Sequence, residues 1–397
     1  MNELFVQALP ILKKIEDNGF EAVFVGGSVR DALLNRTIHD VDIATSATPD
    51  EVKSIFSKTV DVGIQHGTVL VIENGESYEI TTYRVESEYV DYRKPKEVKF
   101  IRSLQDDLQR RDFTMNAIAM NMNGDMIDPF GGQQAIQRAM IETVGNANDR
   151  FSEDALRMMR ALRFVSQLSF TCSDETLQAL KDNQDLLKNI SIERITAEFE
   201  KLLCGVNVQE ALQLLIDTNL FTYLPGFSDK KNELIQVAQY DLHKVCNVDE
   251  KWAVLLYYVV NLNEVESFLR AWRLPVKRIR HIRAILQAVY HENYDDKMTL
   301  FTNGIDCSLS AIRVSYFLKH QDSKQAEEQA IEIWNSLPIH DSSQVNVNGT
   351  LLTEWSNREK GPWIRETLHI ITTKIINEEL PNNTEAIYKE VHRCNLI

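Results

Sequence analysis

Asp40 and Asp42 stand one residue apart, shortly after the pair Gly26-Gly27. The run Val41-Asp42-Ile43-Ala44 reads as a strand, and alternate side chains of a strand share a face. Two carboxylates on one face suit a hard divalent cation. The preceding turn, Val25-Gly26-Gly27-Ser28-Val29-Arg30-Asp31, lies between an apolar strand and a helix start. Residues without a Cβ let the main chain approach phosphate there, and the helix N-terminus favours negative charge. Ser28 can donate a hydrogen bond and Arg30 can pair with phosphate oxygens. The combination points to a site for a metal and a nucleoside triphosphate. Glu79, in the alternating run Tyr78-Glu79-Ile80-Thr81, is a candidate third carboxylate; an exposed strand residue is the other reading.

Two further clusters extend this chemistry. In Arg110-Arg111-Asp112-Phe113-Thr114-Met115-Asn116-Ala117, Asp112 can accept from a ribose hydroxyl and Arg111 can hold phosphate or ribose. A helix cap with a local ion pair is the alternative. In Glu153-Asp154-Ala155-Leu156-Arg157, Ser152 is expected to cap a helix, with Asp154 and Arg157 neighbouring on one face. A carboxylate only accepts hydrogen bonds and a guanidinium only donates them. Cytosine and adenine both present an amino donor beside a ring-nitrogen acceptor, whereas uracil and guanine present the reverse order. An Asp–Arg pair therefore fits C and A and rejects U and G. A plain helical salt bridge is the competing reading, worth only a few tenths of a kcal/mol.

The elements that must position these groups are legible from periodicity. Residues 3–17 are amphipathic and helical, and Gly19 breaks them. Strands are expected near 21–26, 40–45, 67–73 and 76–86, with helices near 28–35 and 49–57. Thr48-Pro49-Asp50-Glu51 carries a helix start, and Asn74-Gly75 a hairpin turn. Residues 86–97 are charged, contain Pro95 and read as a long mobile loop. From about residue 150 helical periodicity dominates, broken at Pro225-Gly226, Pro275, Pro338 and Gly361-Pro362.

With 397 residues the chain is long enough for several domains, and its 44% hydrophobic and 25% charged content is that of a globular protein. The apolar stretch 252–262 is far short of a membrane span. Met1-Asn2-Glu3-Leu4 lacks the basic flank of a signal peptide. Cys172, Cys204, Cys246, Cys307 and Cys394 are scattered, which argues for reduced thiols in a cytoplasm and against structural zinc. The net charge of −15 by itself disfavours nucleic acid, but basic clusters occur at 93–96, 110–111, 157–163 and 277–283. Arg160 and Arg163 of the third cluster join Arg157 as candidate nucleotide-binding residues. Local patches decide phosphate binding.

These motifs, taken in order, resemble a family. The head resembles the polymerase-β-type nucleotidyltransferases, and the whole set is similar to the bacterial class II tRNA nucleotidyltransferases, the CCA-adding enzymes. The matching pieces are GGSVRD and DVD over 26–42, DYRKP at 91–95, RRDFTMNA at 110–117, DPFGG at 128–132, EDALR at 153–157 and ERITAEFEKLL at 193–203. The resemblance implies an α+β fold. A nucleotidyltransferase head with a mixed sheet (1–150) would precede an all-α neck (151–230), body (231–310) and tail (311–397). It implies addition of C, C and A to the 3′ end of tRNA from CTP and ATP, with no DNA and no membrane partner; the oligomeric state stays open. Asp40 and Asp42 would bind Mg²⁺, Arg111 and Asp112 the ribose, and Asp154 and Arg157 the incoming base. DPFGG would act as a hinge, the 86–97 loop would matter for the final A, and the run Lys277–Arg283 is a candidate for tRNA backbone contact, with a plain exposed helix face as the other reading. The alternatives are a CC-adding or A-adding enzyme, or a poly(A) polymerase.

Overall fold

A computed structural model describes residues 2–63, 67–86, 89–90, 94–95, 98–294 and 296–397. They form two compact units, Met1–His243 and Lys244–Ile397.

The first unit opens with α1 (Glu3–Glu16), capped by the Asn2 side chain, which accepts from the Leu4 N–H. Phe5, Ala8, Ile11, Leu12 and Ile15 recur at helical spacing and form its buried face. Next come β1 (Ala22–Val25), α2 (Gly27–Leu33), β2 (Asp42–Thr45) and α3 (Pro49–Ile55). The helix starts where the sequence predicts, with Pro49 in the first turn, and Thr48 and Glu51 close it with a reciprocal capping box. β3 (Thr59–Gly63), β4 (Thr68–Glu73) and β5 (Glu76–Thr82) follow. Asn74 and Gly75, at φ 54° and 88°, make the two-residue turn between β4 and β5.

β6 (Arg84–Glu86), β7 (Tyr89–Val90), β8 (Lys94–Pro95) and β9 (Val98–Phe100) lead to α4 (Leu104–Gln109), β10 (Ala119–Met120), β11 (Met126–Ile127), α5 (Gly132–Gln137) and β12 (Met140–Ile141). The strand expected over 76–86 is broken at Tyr83, and β6 pairs with β9 outside the main sheet. Within the segment read as a loop, β7 pairs with β8. Residues 87–88, 91–93 and 96–97, with most of the DYRKP motif, lie outside the described residues.

The main sheet has seven strands in the order β11-β10-β1-β2-β5-β4-β3. β2 runs parallel to β5, and the other neighbours are antiparallel. Side chains alternate between two cores. Ala22, Phe24 and Ile43 pack with α1, while Val23, Val25 and Ala44 pack with Tyr83, Leu108 and Ala119. Asp42 is two residues before Ala44 and therefore opens on the second face. Asp40 lies outside the strand expected over 40–45, because β2 begins at Asp42.

α6 (Ala147–Glu153), α7 (Leu156–Leu168), β13 (Thr171–Cys172), α8 (Asp174–Asp182), α9 (Ile192–Leu203), α10 (Val208–Asp217) and α11 (Lys231–Val237) complete the unit. Asn146, not Ser152, is the cap: it accepts from the Asn148 and Asp149 N–H groups and starts the helix six residues earlier than the motif suggests. Ser152 lies inside α6 and donates to the Asn148 carbonyl.

The second unit contains α12 (Val248–Val259), α13 (Val265–Ala271), α14 (Val276–His291), α15 (Lys297–Asn303), α16 (Ile305–Leu318), α17 (Lys324–Ser336), α18 (Gly349–Ser356), α19 (Trp363–Ile376) and α20 (Thr384–Arg393). Among the described residues it has no strand. Trp252 and Trp272 meet edge-on at 5.1 Å. Glu250 is fully buried and held by Arg313 at 2.6 Å. On α14, Ile279 and Ile282 face inward while Lys277, Arg280 and Arg283 are exposed. No described helix is long and apolar enough to cross a membrane. The α+β class expected from the sequence holds, with a mixed sheet in the first unit and helices thereafter.

Candidate active site

The second face of the sheet looks onto a cleft of about 730 Å³, in the range of small-molecule sites. Its walls come from β1, α2, β2, the 110–116 segment, α7 and α9. Eight arginines line it against three aspartates, in a chain whose net charge is −15. An enclosed excess of positive charge attracts polyanions such as triphosphates.

The glycine turn forms one wall. Gly26 has φ 75° and ψ −141°, a backbone conformation open to glycine alone. A Cβ there would stand 3.2 Å from Asp42 Oδ2 and 3.4 Å from Arg111 Nη1. A Cβ on Gly27 would meet only the far end of Arg30, at 3.6 Å. Gly26→Ala is therefore expected to destabilise the fold by about 1–3 kcal/mol and depress nucleotide transfer. Gly27→Ala should be milder on both counts; thermal melts and a transfer assay on the two variants check the contrast. Ser28 is buried, donates its hydroxyl to the Val25 carbonyl at 3.0 Å, and does not line the cleft. It holds the turn together instead of presenting the free donor that the sequence suggests. Arg30 lines the cleft, paired with Asp31 at 2.8 Å and donating to Asn116 Oδ1 at 2.7 Å.

Asp42 faces Glu79 in register across β2 and β5. Among the described residues, the Asp40, Asp42 and Glu79 carboxylates have no hydrogen bond or ion pair. Protein crowding round Asp42 raises its pKa, the charges of Asp40 and Glu79 raise it further, and Arg111 opposes them. Such a carboxylate gains most from a cation. No three His, Cys, Asp or Glu groups among the described residues gather as a metal cluster, so Glu79 is not drawn into one with the aspartates. Two free carboxylates nonetheless suit a hard cation that takes its remaining ligands from water and substrate phosphates.

Every other acid in the cleft is paired. Asp112 is buried and accepts from Asn116 Nδ2 at 3.0 Å, its neighbour's N–H at 2.8 Å, and Arg160 at 2.6 Å. Burial works to raise its pKa, but the Arg160 charge and the Asn116 hydrogen bond hold it well below the usual carboxylate range. Asp107, behind the cleft wall, binds Arg110 at 2.8 Å and Arg111 at 3.3 Å. Arg111 also donates to the Asn116 carbonyl, and its buried Nε has no hydrogen-bond partner.

The third cluster is arranged differently from expectation. Asp154 does not share a helix face with Arg157. It is an extended residue between α6 and α7, with φ −137° and ψ 102°. Its carboxylate is gripped by Arg194 at 2.7 and 3.3 Å and caps the Leu156 N–H at 3.1 Å. Arg157 pairs with Glu153 at 2.6 Å and donates to the carbonyls of Arg150 and Arg110. Both residues still line the same cleft. So do Arg160 and Arg163, which follow on α7 at three-residue intervals. Arg163 pairs with Glu198 at 2.8 Å and lies over the Phe164 ring at 4.2 Å. Burial, aided by Arg160, lowers its pKa to about 10, so it stays charged near neutrality. The cleft thus gathers the predicted Gly26, Gly27, Arg30 and Asp42 with Arg111, Asp112, Asp154, Arg157, Arg160 and Arg163. Asp40 stands exposed just outside its lining.

Comparison with known proteins bears on this arrangement. Residues 22–142 match the family model described as poly A polymerase head domain, 169–231 a model described as an RNA and SrmB-binding site of polymerase A, and 243–391 the model of tRNA nucleotidyltransferase domain 2. The chain is 47% identical over 400 residues to the CCA-adding enzyme of Geobacillus sp. (strain WCH70), covering 100% of this chain and 99% of that one. The chain belongs to the CCA-adding enzyme family. The crystal structure of Bacillus stearothermophilus CCA-adding enzyme in complex with CTP superposes with a TM-score of 0.92 at 44% identity, over 100% of this chain and 98% of that one. The CCA-adding enzyme of Bacillus cereus (strain B4264) is 44% identical over the full length of both chains. The protein is therefore a nucleotidyltransferase, of a family whose chemistry uses a divalent metal.

The motif reading passed over residues that hold the cleft's side chains in place. Arg194 and Glu198, one turn apart on α9, hold Asp154 and Arg163. Their i, i+4 spacing within ERITAEFEKLL was the available signal. Asp107 likewise lies three and four residues before Arg110 and Arg111.

Proposed function

We propose that this chain adds C, C and A to the 3′ end of tRNA, without a nucleic-acid template, from CTP and ATP. The tRNA 3′-hydroxyl attacks the α-phosphate and pyrophosphate leaves. The observation that carries the reading is the pair of unpartnered carboxylates, Asp40 and Asp42, at the mouth of an arginine-lined cleft of nucleotide size. Asp40 and Asp42 would hold Mg²⁺, which supplies the positive charge that polarises the phosphate and lowers the pKa of the attacking hydroxyl. The Gly26-Gly27 main chain lets the triphosphate come close, and Arg111 on the cleft lining would offer it a guanidinium. Asp112, on the cleft lining, would accept from a ribose hydroxyl. Asp154 and Arg157 read the base edge, and Arg30, Arg160 and Arg163 supply the field that holds the anion.

The same reading divides the chain into head (1–150), neck (151–230), body (231–310) and tail (311–397), with the helical parts carrying tRNA. The relative from Bacillus stearothermophilus was crystallised with CTP, which supports CTP as a substrate here. A cytoplasmic setting accords with five free cysteines. The decisive experiment extends a tRNA transcript ending at the discriminator base, with Mg²⁺ and CTP or ATP separately and together, read on a sequencing gel. Two residues added with CTP alone and three with both are expected. A stop at two with both nucleotides would mark a CC-adding enzyme, long A tails a poly(A) polymerase, and no extension a binding role.

A further inference from the structure

Arg111 stands between two carboxylates. On one side its Nη2 donates to Asp107 Oδ2 at 3.3 Å. On the other, the point where a Gly26 Cβ would stand is 3.4 Å from Arg111 Nη1 and 3.2 Å from Asp42 Oδ2. Both groups border the space that a side chain at residue 26 would fill, which puts them within about 7 Å of each other. A guanidinium beside two carboxylates settles on whichever binds it better, since the planar fork matches either one. Asp42 has no partner among the described residues, and Asp107 has three.

Asp107 is 1% exposed. An ionised carboxylate so far from water persists only if it is paired and hydrogen-bonded. Its Oδ1 accepts from Arg110 Nε and Nη2 at 3.0 and 2.8 Å and from the Arg84 N–H at 3.2 Å. Oδ2 is left for Arg111. The short α4 fixes this geometry, because residues three and four apart fall on one face. Asp107 lines no part of the cleft and cannot touch substrate.

We propose that Asp107 is a positioning residue that holds Arg111 off Asp42, keeping the Asp42 oxygens free for the metal and Arg111 free for the triphosphate. The proposal rests on the reading of Asp42 as a metal ligand. Loss of the Asp107 charge leaves Arg111 with a single neighbouring anion. A rotation of its terminal torsions then lets it pair with Asp42, and the protein inhibits its own metal site. A wall residue of purely structural importance would affect stability without this link to Arg111.

The test measures Mn²⁺ affinity of the full chain by electron paramagnetic resonance, with a non-hydrolysable CTP analogue present. Asp107→Asn is expected to weaken Mn²⁺ binding by about tenfold to a hundredfold, the usual effect of losing a group that orients a metal site. Asp107→Asn/Arg111→Ala should regain the affinity of Arg111→Ala alone, because no arginine is left to fall onto Asp42. Asp107→Glu keeps the charge and should bind Mn²⁺ nearly as the unaltered chain does, which covers the case of an Asn variant that does not fold. Unchanged affinity in folded Asp107→Asn, or a loss that removing Arg111 does not relieve, overturns the proposal. So does a folded Asp107→Glu chain with the full loss. Asp42→Ala separates the two levels. If it leaves Mn²⁺ binding intact, the metal assignment itself fails; if it removes binding while Asp107→Asn does not, only the positioning role fails.

Discussion

Asp42→Ala and Asp40→Ala are each expected to lower CMP and AMP incorporation by about a thousandfold or more, while tRNA binding stays close to that of the unaltered chain. The size follows from what a bound cation supplies: several kcal/mol of transition-state charge stabilisation, at about 1.4 kcal/mol per tenfold in rate. The two aspartates are the acids best suited to that task because nothing else claims them. Asp107, Asp112 and Asp154 already balance arginines. Asp40 and Asp42 have no hydrogen bond or ion pair among the described residues, and mutual repulsion contributes to the raised pKa of Asp42. Removing either one relieves charge repulsion and leaves no partner unpaired, so the fold should tolerate the change. Under the proposed function tRNA would be held through its phosphates by cations, none of which these substitutions remove. Gel extension and filter binding on the same preparations test both halves. A variant that extends tRNA at the unaltered rate would sink the metal assignment.

Local chemistry explains which features the sequence disclosed. The helix start at Thr48-Pro49-Asp50-Glu51 and the Asn74-Gly75 turn are set by neighbours within four residues, and both formed as read. The amphipathic stripe of α1 is equally local. The glycine turn announced itself because Gly26 needs a conformation that other residues avoid. What the sequence hid is contact between distant segments. Two-residue strands such as β10 and β11 carry too little periodicity to stand out; they are strands because β1 and the turn between them present partners. The break at Asp154 was masked by its neighbours, since Ser152-Glu153-Asp154 looks like a helix start and is instead the end of one. Arg194 holds Asp154 from forty residues away, and Arg160 reaches Asp112 across 48. In the cleft the motifs named most of the lining residues and missed those that pair with them. Phosphates and bases favour a few recognisable side chains, whereas a supporting group need only reach its partner.

That support alters how base selection should fail. If Asp154 and Arg157 had simply paired with each other, removing either would free the other and the result would be ambiguous. Each is instead held separately: Asp154 by Arg194, and Arg157 by Glu153 and two carbonyls. Asp154→Ala is therefore expected to remove the acceptor that meets the amino group of cytosine or adenine while Arg157 stays in place. Arg157→Ala would remove the donor proposed to meet the ring nitrogen while Asp154 stays in place. A lost base-edge contact is worth about 1–3 kcal/mol of discrimination, so preference for CTP over UTP and ATP over GTP should fall about tenfold to a hundredfold in either variant. The two differ in a second respect. Arg157 also ties α7 to the carbonyl of Arg110, so Arg157→Ala should lower the melting temperature more than Asp154→Ala. Single-turnover incorporation of all four nucleotides, alongside melts, separates loss of reading from loss of fold. Undiminished selectivity in both folded variants would refute the protein-template reading, and the discrimination would then have to come from other groups in the cleft.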